Sequence, residues 1–153
     1  MFKKASVSDL QTGVLTRDAG HIVVAMCHYP RGIAKTLLDE YVKALGPDAK
    51  LLAAFLAEKR RLNNHNEAFK SIRYDQRFNI SLEGIAHLKR LAGLSELQDV
   101  FIVCQCKPDQ RCHRELILLL AKKWYGARTE LRKFSYPEFE RRIPEMEGPL
   151  LAL

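Results

Sequence analysis

Three of the four cysteines in this 153-residue chain fall in one short stretch, Cys104-Gln105-Cys106-Lys107-Pro108-Asp109-Gln110-Arg111-Cys112-His113-Arg114. Thiols, an imidazole and guanidinium groups crowded together suit nucleophilic, anion-binding or metal-binding chemistry. Side chains alternate along a strand, so Cys104 and Cys106 are expected on one side and Gln105 on the other. Pro108 ends the strand, and Asp109 is a natural N-cap for the helix that follows. That cap puts Cys112 at the third helical position, in the positive field of the helix start, with Arg111, His113 and Arg114 adding charge. Such surroundings pull a thiol pKa from ~8.5 towards or below 7, and the same N–H groups and cations suit a phosphate or carboxylate.

Three roles compete for these residues. In the first, Cys112 is a nucleophile or redox centre, His113 orients or protonates, and Arg114, Arg111 and Arg31 hold an anion. A Cys-x5-Arg cradle is not met, because Cys106 and Cys104 are separated from Arg111 by four and six residues. In the second, Cys104, Cys106 and Cys112 hold zinc. His113 is a poor fourth ligand, since neighbours on a helix diverge by ~100°. In the third, the cysteines act as small buried apolar groups, the better account for Cys104. Cations at a helix start run against the helix dipole, so His113 and Arg114 imply a negative partner.

These residues need elements to position them. Val100-Phe101-Ile102-Val103 reads as a buried strand leading into the loop, and Leu116–Leu120 as an apolar helix leading out of it. An earlier apolar run, His21–Met26, predicts a second strand, of the kind buried in a parallel sheet. Its loop, Tyr29-Pro30-Arg31-Gly32, opens on the same edge if the two strands are parallel, which brings Arg31 to the same crevice. Arg73, Tyr74 and Arg77 are expected on one helix that can reach that pocket or cover a solvated face. His21, His65 and His87 have no ligand spacing to the cysteines.

The remaining expectations are an N-terminal strand over Lys3–Val7 with a polar turn after it, and a helix from Thr36 with Asp39 as its capping-box partner, ended by Gly46-Pro47. Further helices are expected after Asp48, over Glu67–Phe78, after Ser81, and from Asp109 to about Tyr125. An edge strand over Thr129–Phe134, a short helix over Tyr136–Arg142 and a loose tail over 143–153, loosest from Gly148, complete the reading. The aromatics of the basic segment Lys122–Arg142 are read as core residues in preference to a nucleic-acid surface. The predicted fold is a single α/β domain over 1–153: a three-layer α/β/α sandwich with a mainly parallel sheet of about four strands and a helical insertion between the two main strands.

Composition narrows the class. Twenty-five Lys and Arg against 18 Asp and Glu give a formal charge of +7, which favours an anionic small molecule or nucleic acid as partner. The longest apolar runs are far short of the ~20 residues that cross a membrane, so no membrane partner is expected. Unevenly clustered cysteines read as thiols or metal ligands in a reducing compartment, and a cytoplasmic location is expected.

The strand, Cys104-x-Cys106, short polar loop and Cys112-His113-Arg114 opening a helix resemble the domain of unknown function 488 (DUF488) family. Tyr29-Pro30-Arg31-Gly32-Ile33 is similar to that family's Pro-Arg-Gly segment, and Gly46-Pro47, Leu51-Leu52 with Phe55, and Phe69 through Arg73-Tyr74 follow in the expected order. The resemblance implies an α/β domain with a loop-borne site and no established reaction. Many members carry an acidic residue where this chain has Cys106, so the resemblance implies either that a role for that carboxylate is missing here or that a thiol replaces it.

Overall fold

A computed structural model describes residues 1–146 and Gly148. Its centre is a four-stranded, all-parallel sheet: β1 (Phe2–Ser6), β2 (His21–Val24), β3 (Glu40–Tyr41) and β4 (Val100–Cys104), in the order β1-β4-β2-β3. The two apolar strands predicted from the sequence are the central pair, with Val24 opposite Val103. Both faces of such a strand are covered, which is why each reads as an unbroken apolar run.

One face of the sheet, carrying Val23, Ala25, Val100 and Ile102, packs on the main core with α2 (Ala49–Leu62), α3 (His65–Ser71), α5 (Leu82–Leu94), α6 (His113–Tyr125) and α7 (Pro137–Arg142). The short α4 (Tyr74–Arg77) joins the same layer through Tyr74. The opposite face, with Ala5, Ile22, Val24 and Val103, is covered by α1 (Val7–Gln11) and loop residues Leu15, Ile33 and Leu38. The α/β sandwich is therefore as predicted, with one thick helical layer and one thin one. The helical insertion α2–α5 does lie between the two main strands.

The N-terminus of α2 is set by Asp48, whose carboxylate accepts from the Leu51 N–H at 2.7 Å. Its end is set by Asn63 in the left-handed region (φ 49°), a common helix stop. Ser81 caps α5 through the Gly84 N–H.

Several expectations change. No α-helix starts at Thr36: that segment holds 3-10 turns at Lys35–Leu37 and Lys43–Leu45 around β3. Asp39 does not cap a helix. Its backbone N–H donates to the Ile22 carbonyl and its carboxylate accepts from the Ile22 N–H, so sheet pairing overrides a helix-like apolar spacing. The helix expected over Glu67–Phe78 is broken into α3 and α4 by Arg73, at φ 55°. The strand expected over Thr129–Phe134 is reduced to one bridge, Phe2 to Thr129. The long helix expected from Asp109 is α6, whose N-cap position is Cys112 and not Asp109. Phe134, Tyr136, Trp124 and Tyr125 pack on the main core, as read from the sequence. Of the loose tail expected from 143 onwards, Ile143–Glu145 instead form a 3-10 turn with Ile143 buried on the main core, while 147 and 149–153 lie outside the described residues.

Candidate functional site

The carboxyl ends of β2 and β4 meet at one edge of the sheet, where open α/β folds place their ligand crevices. A cavity of about 450 Å³ opens there on the helical side. Its walls are mainly apolar and aromatic, including Tyr29, Leu52, Phe55, Phe69 and Tyr74, while Cys104, Cys106, Cys112, His113 and His65 supply the polar part. The volume falls within the 300–1,000 Å³ of small-molecule sites.

At the floor, Cys112 is 2% exposed. With an extended backbone (φ −155°, ψ 151°) it stands just outside α6 as its N-cap residue. The ~100° divergence expected between Cys112 and His113 therefore does not apply. The His113 Nδ1 lies 3.5 Å from the Cys112 Sγ. The other ring nitrogen, Nε2, is 2.6 Å from the Ala25 carbonyl oxygen. A carbonyl only accepts, so Nε2 carries a hydrogen, leaving Nδ1 to exchange a proton with the thiol.

Two further groups converge on the same sulfur. The Cys104 Sγ is 3.1 Å away, and the Arg114 Nε–H donates to Cys112 at 3.3 Å. Arg114 is 3% exposed, and its remaining donors go to the carbonyls of Ala5, Cys106 (3.1 Å) and Lys107 (3.4 Å). None of these partners is a carboxylate. A buried cation needs a counter-charge, and the group bonded to this one that can carry it is the Cys112 sulfur. Burial pushes the Cys112 thiol up. Hydrogen bonds from Cys104 and Cys106 and the charges of His113 and Arg114 outweigh that and hold it well below the ordinary thiol range. Burial pushes Cys104 up to about 12. Cys106 is held well above the usual value by its hydrogen bonds to the other two thiols and by burial. Of the three sulfurs, the one that His113 and Arg114 both face is the one whose ionisation is favoured.

A second layer fixes that arrangement. The Cys112 N–H donates to the Tyr136 hydroxyl at 3.4 Å, and that hydroxyl donates to Glu115 at 2.7 Å. The Glu115 carboxylate also receives Lys4 Nζ at 2.7 Å and the Lys133 N–H at 2.6 Å.

The predicted residues separate into groups. Cys112, His113, Arg111, Tyr74 and Arg31 all line the cavity, with Arg31 exposed at its mouth. The Arg111 guanidinium donates to the Ser135 carbonyl and lies over the rings of Phe134 and Tyr136. Arg114 sits behind the thiols, bonded to three carbonyls and the Cys112 sulfur, and is not among the residues that line this cavity. Arg73 is exposed and outside the lining. The sulfurs of Cys104, Cys106 and Cys112 lie within 4.8 Å of one another.

Sequence reasoning missed Cys27, His28 and His65, which also line the cavity. His65 Nε2 is 2.8 Å from the Arg111 carbonyl oxygen, while Nδ1 is buried without a hydrogen-bond partner. Burial holds the His65 pKa below its ordinary value. The available signal was the run Asn63-Asn64-His65-Asn66. Asn66 accepts from the Arg111 N–H at 2.8 Å and donates to the Asp109 carbonyl, stitching that turn onto the cysteine loop.

A family model, DUF488-N3a, described as the active DUF488-N3 subclade, matches residues 7–124. The chain is a DUF488-N3a protein. The match covers both central strands, the helical insertion and the Cys112-His113-Arg114 triplet, and so contains every cavity residue named above. No curated protein and no solved structure matches this DUF488-N3a chain. Among its described residues no helix is long and apolar enough to cross a membrane.

Proposed function

We propose that this DUF488-N3a protein is a thiol-dependent enzyme acting on a small anionic substrate, with Cys112 as nucleophile. The observation that carries this is the convergence of His113, Arg114 and Cys104 on one sulfur at the cavity floor. Nucleophile, base and a third group orienting the base form the pattern of covalent catalysis, and the Ala25 carbonyl is that third group here. The Cys112 sulfur passes its proton to the His113 Nδ1, 3.5 Å away, as it attacks. Attack by sulfur on an electrophilic carbon then lets His113 protonate the departing group.

The substrate class follows from the walls. Phe55, Phe69, Tyr74 and Tyr29 suit a planar, weakly polar body, and Arg31 at the mouth suits a phosphate or carboxylate. A nucleotide combines both, whether free or at the end of a nucleic-acid chain. A reaction that runs through a free thiolate fits a reducing cytoplasm.

The test is alkylation of the reduced protein by iodoacetamide from pH 5 to 9, with and without nucleoside monophosphates, mapped by peptide mass. Expected is preferential modification of Cys112 at pH values well under the ordinary thiol value, slowed by nucleotide. Reaction of Cys112 only near pH 9, or preferential reaction of Cys106, would overturn the reading. Elemental analysis run in parallel covers the three close sulfurs: one zinc per chain would replace catalysis with metal binding.

A further inference from the structure

The floor of the cavity holds more sulfur than a single nucleophile needs. We propose that hydrogen peroxide converts Cys112 and Cys104 into a reversible disulfide, an oxidative modification that switches the site off; this rests on Cys112 being its reactive group. The two Sγ atoms are 3.1 Å apart and both residues are 2% exposed. Closing that gap to a bond of about 2.05 Å needs a movement near 1 Å. Cys112 makes it from an extended backbone outside α6, so the helix need not unwind.

The chemistry balances in two steps. Cys112 passes its proton to the His113 Nδ1, the sulfur attacks one peroxide oxygen, the O–O bond breaks, and a sulfenic acid forms while the released hydroxide takes that proton back from His113 and leaves as water. Sulfur has lost two electrons and peroxide has gained them. The Cys104 sulfur then attacks the Cys112 sulfur, the S–O bond breaks, and the departing hydroxide takes the Cys104 proton and leaves as water. In sum, two thiols and one peroxide give one disulfide and two waters. A small thiol or dithiol reverses it by exchange.

Proximity makes the second step follow the first. Burial holds the Cys104 proton on, up to about 12, and at 3.1 Å its sulfur is the one placed to attack the oxidised Cys112, giving up that proton as the S–O bond breaks. Cys106 is half-buried, and its N–H donates to the Cys104 Sγ at 3.3 Å. It borders the pair without being needed for it. Cys27, whose sulfur lies 3.7 Å from the His28 ring, takes no part.

The experiment is to treat the reduced full chain with one equivalent of hydrogen peroxide, block with N-ethylmaleimide and map the peptides. Expected is loss of two of the four thiols, a Cys104–Cys112 linkage and full recovery with dithiothreitol. Cys106→Ser is expected to retain the linkage, while Cys104→Ser traps a dimedone-reactive sulfenic acid at Cys112. Four free thiols after treatment, or a linkage through Cys106, would overturn the proposal. The wild-type and Cys106→Ser maps decide it even where Cys104→Ser fails to fold. Iodoacetamide reactivity of Cys112 without any peroxide-induced linkage sinks this proposal alone. An unreactive Cys112 that still forms the linkage sinks only the catalytic reading.

Discussion

At the scale of the residue, the site is a problem in charge placement. Arg114 is always charged and nearly fully buried, and it meets only carbonyls and sulfur. Without an anion beside it the fold would carry a cost of several kcal/mol. Cys112, bonded to Arg114 and with its thiol held well below the ordinary range, is the group suited to be that anion, and this links stability to pH. An unfolded thiol titrates near 8.5, whereas the folded Cys112 value is depressed. Below pH ~8.5 the unfolded chain therefore binds a proton that the folded chain does not. This contribution to stability is complete above that pH and is lost as pH falls through the folded Cys112 value. Cys104, raised to about 12, acts in the opposite window: its contribution is complete below ~8.5 and is lost as pH rises towards 12. Wild-type stability between pH 8 and 6 is thus expected to fall by up to about 1.4 kcal/mol per pH unit from this one group. Urea denaturation at several pH values measures it. Cys112→Ser is expected to flatten that limb, and an identical slope in both proteins would show that no thiolate is buried there.

At the scale of the element, the sequence was most legible where burial on two faces leaves an uninterrupted apolar run. His21–Met26 and Val100–Cys106 both read as strands, and β2 and β4 lie within them. Capping residues were also legible, since Asp48 and Ser81 act through short local hydrogen bonds. Thr36–Gly46 was misread for a physical reason. Leu38, Val42 and Leu45 are buried at near-helical spacing, yet Val42 donates to the Val24 carbonyl, so pairing with β2 sets the conformation. The Cys112–His113 contact was hidden by the assumption that the helix begins at Asp109. Moving the cap to Cys112 lets the two side chains meet. Gly46 shows how closely these elements approach. A Cβ placed there would lie 2.5 Å from the Met26 carbonyl carbon and 2.7 Å from the Cys27 nitrogen. Both contacts are to backbone at the end of β2, where Met26 and Cys27 line the cavity. Gly46→Ala is expected to destabilise by about 1–3 kcal/mol, the usual range for overpacking, and to slow Cys112 alkylation by displacing Ala25 from His113. Calorimetry and the alkylation assay measure the two effects; an unchanged melting temperature would mean that the Gly46 turn yields freely.

At the scale of the whole molecule, Glu115 joins segments far apart in the chain. It lies on α6, 1% exposed, and receives Lys4 from β1, the Lys133 N–H and the Tyr136 hydroxyl. That hydroxyl in turn accepts from the Cys112 N–H. The carboxylate therefore ties the first strand, the last long helix and the segment before α7 to the backbone of the reactive cysteine. Acidic residues at a helix start are ordinarily read as partners of the helix dipole, which is why sequence alone gave Glu115 no larger part. Its neighbours decide otherwise: Lys4 is 16% exposed at its side chain and Glu115 2%, so this is a shielded pair and not a surface contact. Glu115→Gln keeps the shape and removes the charge, leaving Lys4 buried beside a neutral amide whose N–H₂ has to face one of three donors. Breaking a buried pair from one side costs roughly 3–5 kcal/mol, and a large loss in denaturation midpoint is expected. Lys4→Met with Glu115→Gln removes both charges, and the double variant is expected to recover part of the loss. Denaturation of both singles and the double gives the coupling energy directly. If the two single losses simply add, Glu115 acts only on its own helix. If they do not, the site's backbone is held by the same ion pair that closes the sheet onto α6.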